Sequence, residues 1–275
     1  MNIIKILDHL SDKELLSKTS SRRDSFDHMK NMGKKIALAS IPFGLAATSS
    51  KTKAATMSMA SASMMATPTE ILNFALTLEY LERNFYRMGL DTSGLIPQED
   101  QAVFAQISQH EDDHVDFLLA ALGDDAIDEP TFDFTGAPGG LNLDTFTNYQ
   151  TFLALSQGFE DTGVRAYKGQ AGALIDDDAL LTYALQIHSV EARHASQVRR
   201  MRGEKGWIIK SENTLPSAFS AIYGGATPES NTTQGGVNLS GMFPNNGGDN
   251  AITAAFDEPL TMQEVVDIAS IFIVS

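Results

Sequence analysis

Cysteine is absent from the 275 residues of this chain. Disulfides, thiolate-ligated zinc, iron–sulfur clusters and thiol nucleophiles all need it, so any metal must be held by His, carboxylate or carbonyl groups. The absence leaves the compartment open, since a cysteine-free protein tolerates oxidising and reducing surroundings alike. Positive charge is scarce as well: 20 Lys/Arg stand against 35 Asp/Glu, a net charge of −15. That balance excludes nucleic acid as a partner, because phosphate contacts need a basic surface. Long apolar runs are missing too, and no stable membrane span is expected where roughly 20 apolar residues are required. With 43% hydrophobic residues, the chain can still bury a sizeable core.

The scarce basic residues are concentrated at the start. Residues 1–60 hold ten Lys/Arg and five Asp/Glu, leaving ten basic and thirty acidic residues for the rest. Arg22-Arg23, Lys34-Lys35, the apolar run Ile36–Ala47 and the small-residue tract behind it have the profile of an export signal. The arginine pair resembles a bacterial twin-arginine signal, although Phe26 lies one position further from the arginines than that pattern places its aromatic residue. The alternative is a disordered basic tail. Residues 1–62 are therefore set apart as the head. The expected location is outside the cytoplasm, in the periplasm of a bacterium.

From Thr67 onward helical signals dominate. Thr67-Pro68-Thr69-Glu70 supplies an N-cap, a first-turn proline and an acidic first turn, and Ile71, Phe74, Leu78, Leu81 and Phe85 follow at helical spacing up to a stop at Gly89. Pro97 opens a second helix ending near Gly123. Residues 124–143 read as a long loop, in which Gly136, Pro138, Gly139 and Gly140 exclude a regular element. A third helix is expected over about Asp144–Gly169. A fourth runs from the acidic cluster Asp176-Asp177-Asp178 to the basic Arg199-Arg200-Met201-Arg202, charges that suit its two ends. The predicted architecture is all-α: a four-helix bundle over residues 63–205 with a long crossover between helices two and three. Residues 206–275 form an irregular extension that ends in a short apolar helix, VVDIASIFIV, packed on the bundle.

An internal repeat runs through the bundle. Glu111 and His114 recur eighty residues later as Glu191 and His194, while Glu79 and Tyr86 recur eighty-one residues later as Glu160 and Tyr167. Residues three apart on a helix share a face, so each Glu-x-x-His presents a carboxylate and an imidazole together. The inventory is one Glu from each of two helices and a Glu-x-x-His from each of the other two. That is the set used by dinuclear iron or manganese sites in four-helix bundles. Four carboxylates neutralise two divalent ions and can bridge them, and each His adds a terminal nitrogen.

The stretches LNFALTLEYLERNFY, HEDDH, SQGFEDTGVRAY, VEARH and FDEPLTMQEV resemble the ferritin-like superfamily. More narrowly, they resemble bacterial ferritin-like domain proteins related to plant desiccation-associated proteins. The resemblance spans roughly residues 67–275 and implies a ferritin-like bundle with a dinuclear site of Glu79, Glu111, His114, Glu160, Glu191 and His194. Rubrerythrins carry a further cysteine-ligated iron centre, which this chain cannot build. In the expected arrangement Glu79 and His114 hold one ion, Glu160 and His194 hold the other, and Glu111 and Glu191 bridge. The expected cofactor is two iron ions, with manganese as the alternative. The expected activity is Fe(II) oxidation or peroxide detoxification with oxygen or peroxide as partner. Two other readings stand beside it: a stress-protective structural bundle without turnover, and a manganese catalase-like protein. A homo-oligomer is compatible with all of them.

The neighbours of the six divide differently. Tyr86 and Tyr167 fit equally as core aromatics or as hydroxyls that steady a ligating Glu or His. Glu82 competes with Glu79, but it aligns with Gly163 in the repeat and is read as a surface charge. His188 reads as a core or boundary histidine. His110 is adjacent to Glu111 and is expected to point elsewhere.

Overall fold

The structure is a computed structural model that describes residues 66–274. The export signal expected in the head, with Arg22-Arg23 and Ile36–Ala47, lies outside the described residues. Helix α1 (Pro68–Asp91) starts on a capping box in which the Thr67 side chain accepts from the Glu70 N–H and the Glu70 carboxylate accepts from the Thr67 N–H at 2.7 Å. It runs through Gly89, the expected stop. There the missing side chain lets the Phe152 ring approach the helix backbone, a place that a Cβ would fill. Helix α2 (Gln101–Leu122) begins later than Pro97 because Pro97–Asp100 closes a turn, with the Asp100 and Gln101 N–H groups both donating to the Pro97 carbonyl.

The crossover to α3 (Tyr149–Ala171) is long, as expected, but not without regular structure. It contains single 3-10 turns at Gly123–Asp125 and Ala137–Gly139 and a two-residue strand, β1 (Thr131–Phe132). Helix α3 starts where Asn148, not Asp144, caps the Gln150 N–H. Helix α4 (Asp178–Met201) starts at the acidic cluster, with the Asp177 carboxylate accepting from the Ala179 and Leu180 N–H groups at 3.1 and 3.0 Å. The two hairpins α1–α2 and α3–α4 join mainly through α1 against α3.

Two apolar clusters fill the bundle. One is aromatic, built on Phe85, Phe104, Phe134, Phe152 and Phe159, with Phe85 and Phe152 stacked at 4.7 Å. The other is aliphatic, built on Leu72, Leu76, Val115, Leu118, Leu180 and Ile187. Tyr86 belongs to the first and Tyr167 to the second, and the buried polar side chains lie between those tyrosines.

The extension wraps α3 and α4. It holds a 3-10 segment (Ser217–Tyr223), a small hairpin of β2 (Thr233–Gln234) and β3 (Val237–Asn238), and helices α5 (Gly248–Thr253) and α6 (Met262–Ala269). The apolar closing helix is shorter than its sequence suggests. Its last β-branched residues leave the helix as β4 (Ile273–Val274) and pair antiparallel with β1, Phe132 opposite Ile273. The anchor of the extension is Arg165, fully buried on α3. Its guanidinium donates to the carbonyls of Ile222, Gly224, Thr227 and Glu258, with the Glu229 carboxylate 2.9 Å from Nε. An irregular segment has carbonyls with no ladder to join, and a planar group with five donors satisfies several at once. Among the described residues no helix is long and apolar enough to cross a membrane.

Candidate metal centre

Helical spacing dictates where the polar side chains go. Glu111 and His114 project from one face of α2, and Glu191 and His194 from one face of α4, with Glu79 on α1 and Glu160 on α3 facing them. The structure brings all six together and removes them from solvent. The four glutamates are completely buried, with His114 at 8% and His194 at 5% exposure.

Two overlapping tetrads result. Glu79, Glu111, His114 and Glu191 each offer a ligand atom within 4.8 Å of the others, and so do Glu111, Glu160, Glu191 and His194. Glu111 and Glu191 are common to both. Each imidazole turns Nδ1 inward. His114 Nδ1 lies 3.1 Å from Glu79, 3.0 Å from Glu111 and 3.4 Å from Glu191. His194 Nδ1 lies 3.0 Å from Glu111 and 3.2 Å from Glu160.

The tyrosines are hydrogen-bond donors to this centre, and they cross the repeat. Tyr86 of the first hairpin donates to Glu160 of the second, and Tyr167 of the second donates to Glu79 of the first. Each glutamate is thereby oriented by the other half of the chain. Burial and the charge of the accepting carboxylate hold both phenols well above their ordinary range, so they stay donors.

Electrostatics show what the cluster lacks. Burial and the surrounding carboxylates push Glu191 well above the usual range. Burial also raises Glu111, against hydrogen bonds from the two histidines. Burial alone would raise Glu79, but the His114 charge and the bonds from His114, Glu111 and Tyr167 outweigh it and bring it down. Burial opposes charge on the histidines, yet the adjoining glutamates prevail, so His114 is pushed up to about 11 and His194 to about 10. An excess of carboxylate over positive charge underlies the rise of Glu191 and of both histidines.

Unpaired lone pairs point the same way. Both carboxylate oxygens of Glu191 are buried without a hydrogen-bond partner among the described residues, and Glu111 Oε1 and Glu160 Oε2 share the single His194 Nδ1 at 3.0 and 3.2 Å. Each such atom costs about 1–3 kcal/mol if left unsatisfied, and here they converge. Bound cations would satisfy all of them, and the hard oxygen and imidazole donors suit a metal ion. The residues fit a metal centre.

Two neighbours contradict the sequence reading. Glu82 is not a surface charge: it is 3% exposed, and burial with the charges of Glu160, Glu111 and Glu79 raises it well above the usual range. Its three-residue spacing from Glu79 already put it on the same face. Its counterpart Gly163 leaves room for the centre, since a Cβ there would lie 2.9 Å from a Glu191 oxygen. His110 does not point elsewhere; its Nδ1 is 2.8 Å from His194 Nε2. The overlooked signal was its four-residue spacing from His114. His188 is half-buried with Nδ1 unpartnered, consistent with a boundary position. A further buried group had no sequence signal. Arg199, read as a charge at the helix end, pairs with Asp161, whose carboxylate also accepts from Tyr223 at 2.6 Å.

Residues 67–204 match the family model described as a ferritin-like domain, a span that contains all six side chains. No curated protein matches the chain.

Proposed function

The chain belongs to the ferritin-like domain family, and from that premise we propose that it holds two metal ions, iron first among them, and acts on oxygen or peroxide as a ferroxidase- or peroxidase-type oxidoreductase. The observation that carries this reading is the pair of overlapping tetrads sharing Glu111 and Glu191, with their unpartnered buried lone pairs. Glu79 and His114 would hold one ion, Glu160 and His194 the other, and Glu111 and Glu191 would serve both. When bound, the metal pair supplies one-electron chemistry that carboxylates and imidazoles do not possess.

The remaining work belongs to the chain. Tyr86 and Tyr167 fix the orientation of Glu160 and Glu79 by hydrogen bonds. The aromatic and aliphatic clusters on either side exclude bulk water. Glu82, held toward its neutral form, adds a fifth carboxyl without adding full charge.

Metal analysis of the purified protein tests the first half of the proposal. About two ions per chain are expected, with iron favoured and manganese the alternative. Undiminished binding in a Glu111→Ala, Glu191→Ala double variant would overturn it. An anaerobic Fe(II)-loaded sample mixed with oxygen or peroxide tests the second half. Metal binding with no consumption of either oxidant would favour the structural, stress-protective reading, to which the Arg165-anchored extension lends support. Rapid peroxide disproportionation by a manganese-loaded sample would instead mark a catalase-like activity. We also propose that residues 1–62 direct export; uncleaved chain confined to the cytoplasm would rule that out.

A further inference from the structure

His114 and His194 hold matching places eighty residues apart, yet their surroundings differ behind the ring. The outer nitrogen of His194, Nε2, lies 2.8 Å from His110 Nδ1. The two rings stack nearly parallel, with centroids 5.1 Å apart and planes 9° from each other. His110 Nε2 in turn lies 2.8 Å from the side-chain nitrogen of Gln106, one turn earlier on α2. Among the described residues no side chain hydrogen-bonds the outer nitrogen of His114. The residue eighty places after His110 is Val190, which has nothing to donate or accept from its side chain.

The inner nitrogens do not differ in this way. His114 Nδ1 lies 3.1 Å from Glu79 and 3.0 Å from Glu111, and His194 Nδ1 lies 3.0 Å from Glu111 and 3.2 Å from Glu160. Both imidazoles face carboxylates on the side that a metal would use, and only His194 is braced behind.

A neutral imidazole that offers Nδ1 to a cation carries its proton on Nε2, and an acceptor for that proton fixes both tautomer and ring angle. We infer that His110 is a positioning residue that presets His194 for coordination, so that the Glu160–His194 half of the centre loads before the Glu79–His114 half. This rests on the dinuclear reading of the preceding subsection. In the loaded chain the hydrogen bonds run outward. His194 Nε2–H donates to His110 Nδ1, and His110 Nε2–H donates to the Gln106 amide oxygen, which a half-turn of the amide brings into place. His114 has no such brace among the described residues, so its tautomer and ring angle must be set as the metal arrives.

The test is a Co(II) titration of the metal-free, full-length protein, followed by visible absorption and calorimetry. Two resolved steps are expected. Glu160→Gln should remove the tighter step and Glu79→Gln the weaker one. His110→Ala should weaken the tighter step about 10- to 100-fold, leave the weaker one in place, and so merge the two. His110→Asn, whose Oδ1 replaces the lost acceptor, should restore the separation. Melting of the metal-free His110→Ala protein should match the wild type. Equal steps in the wild type, steps unmoved by His110→Ala, or a parallel weakening of both steps with a lowered melting point would each overturn the inference while leaving the dinuclear reading intact. No Co(II) uptake by the wild type would overturn both.

Discussion

In the first hairpin, α1 carries Tyr80 and Asn84 where α3, eighty-one residues later, carries Asp161 and Arg165. Likewise α2 has Leu119 where α4, eighty residues later, has Arg199. The six central side chains repeat between the hairpins, but these flanking positions do not. Their difference follows from what covers each hairpin. Asn84 donates to the Tyr80 carbonyl of its own helix and, at 2.6 Å, to Glu129 of the crossover, while Arg83 pairs with the same carboxylate near solvent. Asp161, Arg165 and Arg199 lie beneath the extension, where irregular backbone and the Tyr223 hydroxyl need charged partners. A repeat thus keeps what the shared centre demands and diverges wherever its two copies face different neighbours.

The largest effect expected from this contrast is at the matched pair Arg165 and Asn84. Arg165→Met strands Glu229 and at least four carbonyls, and should destabilise the protein by about 3–5 kcal/mol, as breaking a buried ion pair does. Asn84→Ala should cost about 1 kcal/mol. Chemical denaturation measures both, and similar losses would erase the asymmetry argued here. Next come the tyrosines, which sharpen the comparison from the symmetric side. Tyr86→Phe and Tyr167→Phe each delete one charge-assisted hydrogen bond to a buried glutamate, so losses of about 1.5–3 kcal/mol are expected in both. A large disparity between them would show that the crossed bonds are not equivalent.

A pH experiment probes the asymmetric carboxyl. An unfolded glutamate titrates near 4.5, whereas Glu82 and Glu191 titrate well above it in the folded chain. The folded state therefore retains protons that the unfolded state has lost. The contribution of these two groups to the stability of the metal-free protein is fully present below 4.5 and is lost as pH rises. His114 and His194, raised from 6.5 to about 11 and about 10, extend the same fall above neutrality. Glu82→Gln keeps the neutral shape without the titration. It should melt higher than the wild type at pH 8 and alike near pH 4; an unchanged slope would place Glu82 outside the field of the centre. The smallest effect concerns two identical caps, one on α1 and one on α6. Thr67→Ala and Thr261→Ala should each cost about 1 kcal/mol, with Thr261→Ala also loosening the extension under limited proteolysis.

Much of the bundle was legible because its signals are local. The Thr67–Glu70 capping box, the acidic start of α4 and the Glu-x-x-His spacing each involve residues within one turn. The helix starts at Gln101 and Tyr149 were missed by several residues, because a turn at Pro97 and a cap at Asn148 compete with the more conspicuous Pro97 and Asp144. For Glu82 and His110, alignment with a glycine and adjacency to a glutamate are one-residue signals that point away from the centre. Their three- and four-residue spacings from Glu79 and His114 carried the better information.

By itself the sequence determined the helices, the repeat and the six polar side chains that share faces, since helix periodicity converts spacing directly into direction. Tertiary structure alone decided who answers whom. The crossed bonds from Tyr86 to Glu160 and Tyr167 to Glu79, the His110–His194 stack, the β1–β4 pairing and the carbonyls gathered by Arg165 all join residues from distant parts of the chain. No local propensity encodes such partners. They arise because packing four helices and an extension around one core leaves each buried polar group to find its counterpart across the interior.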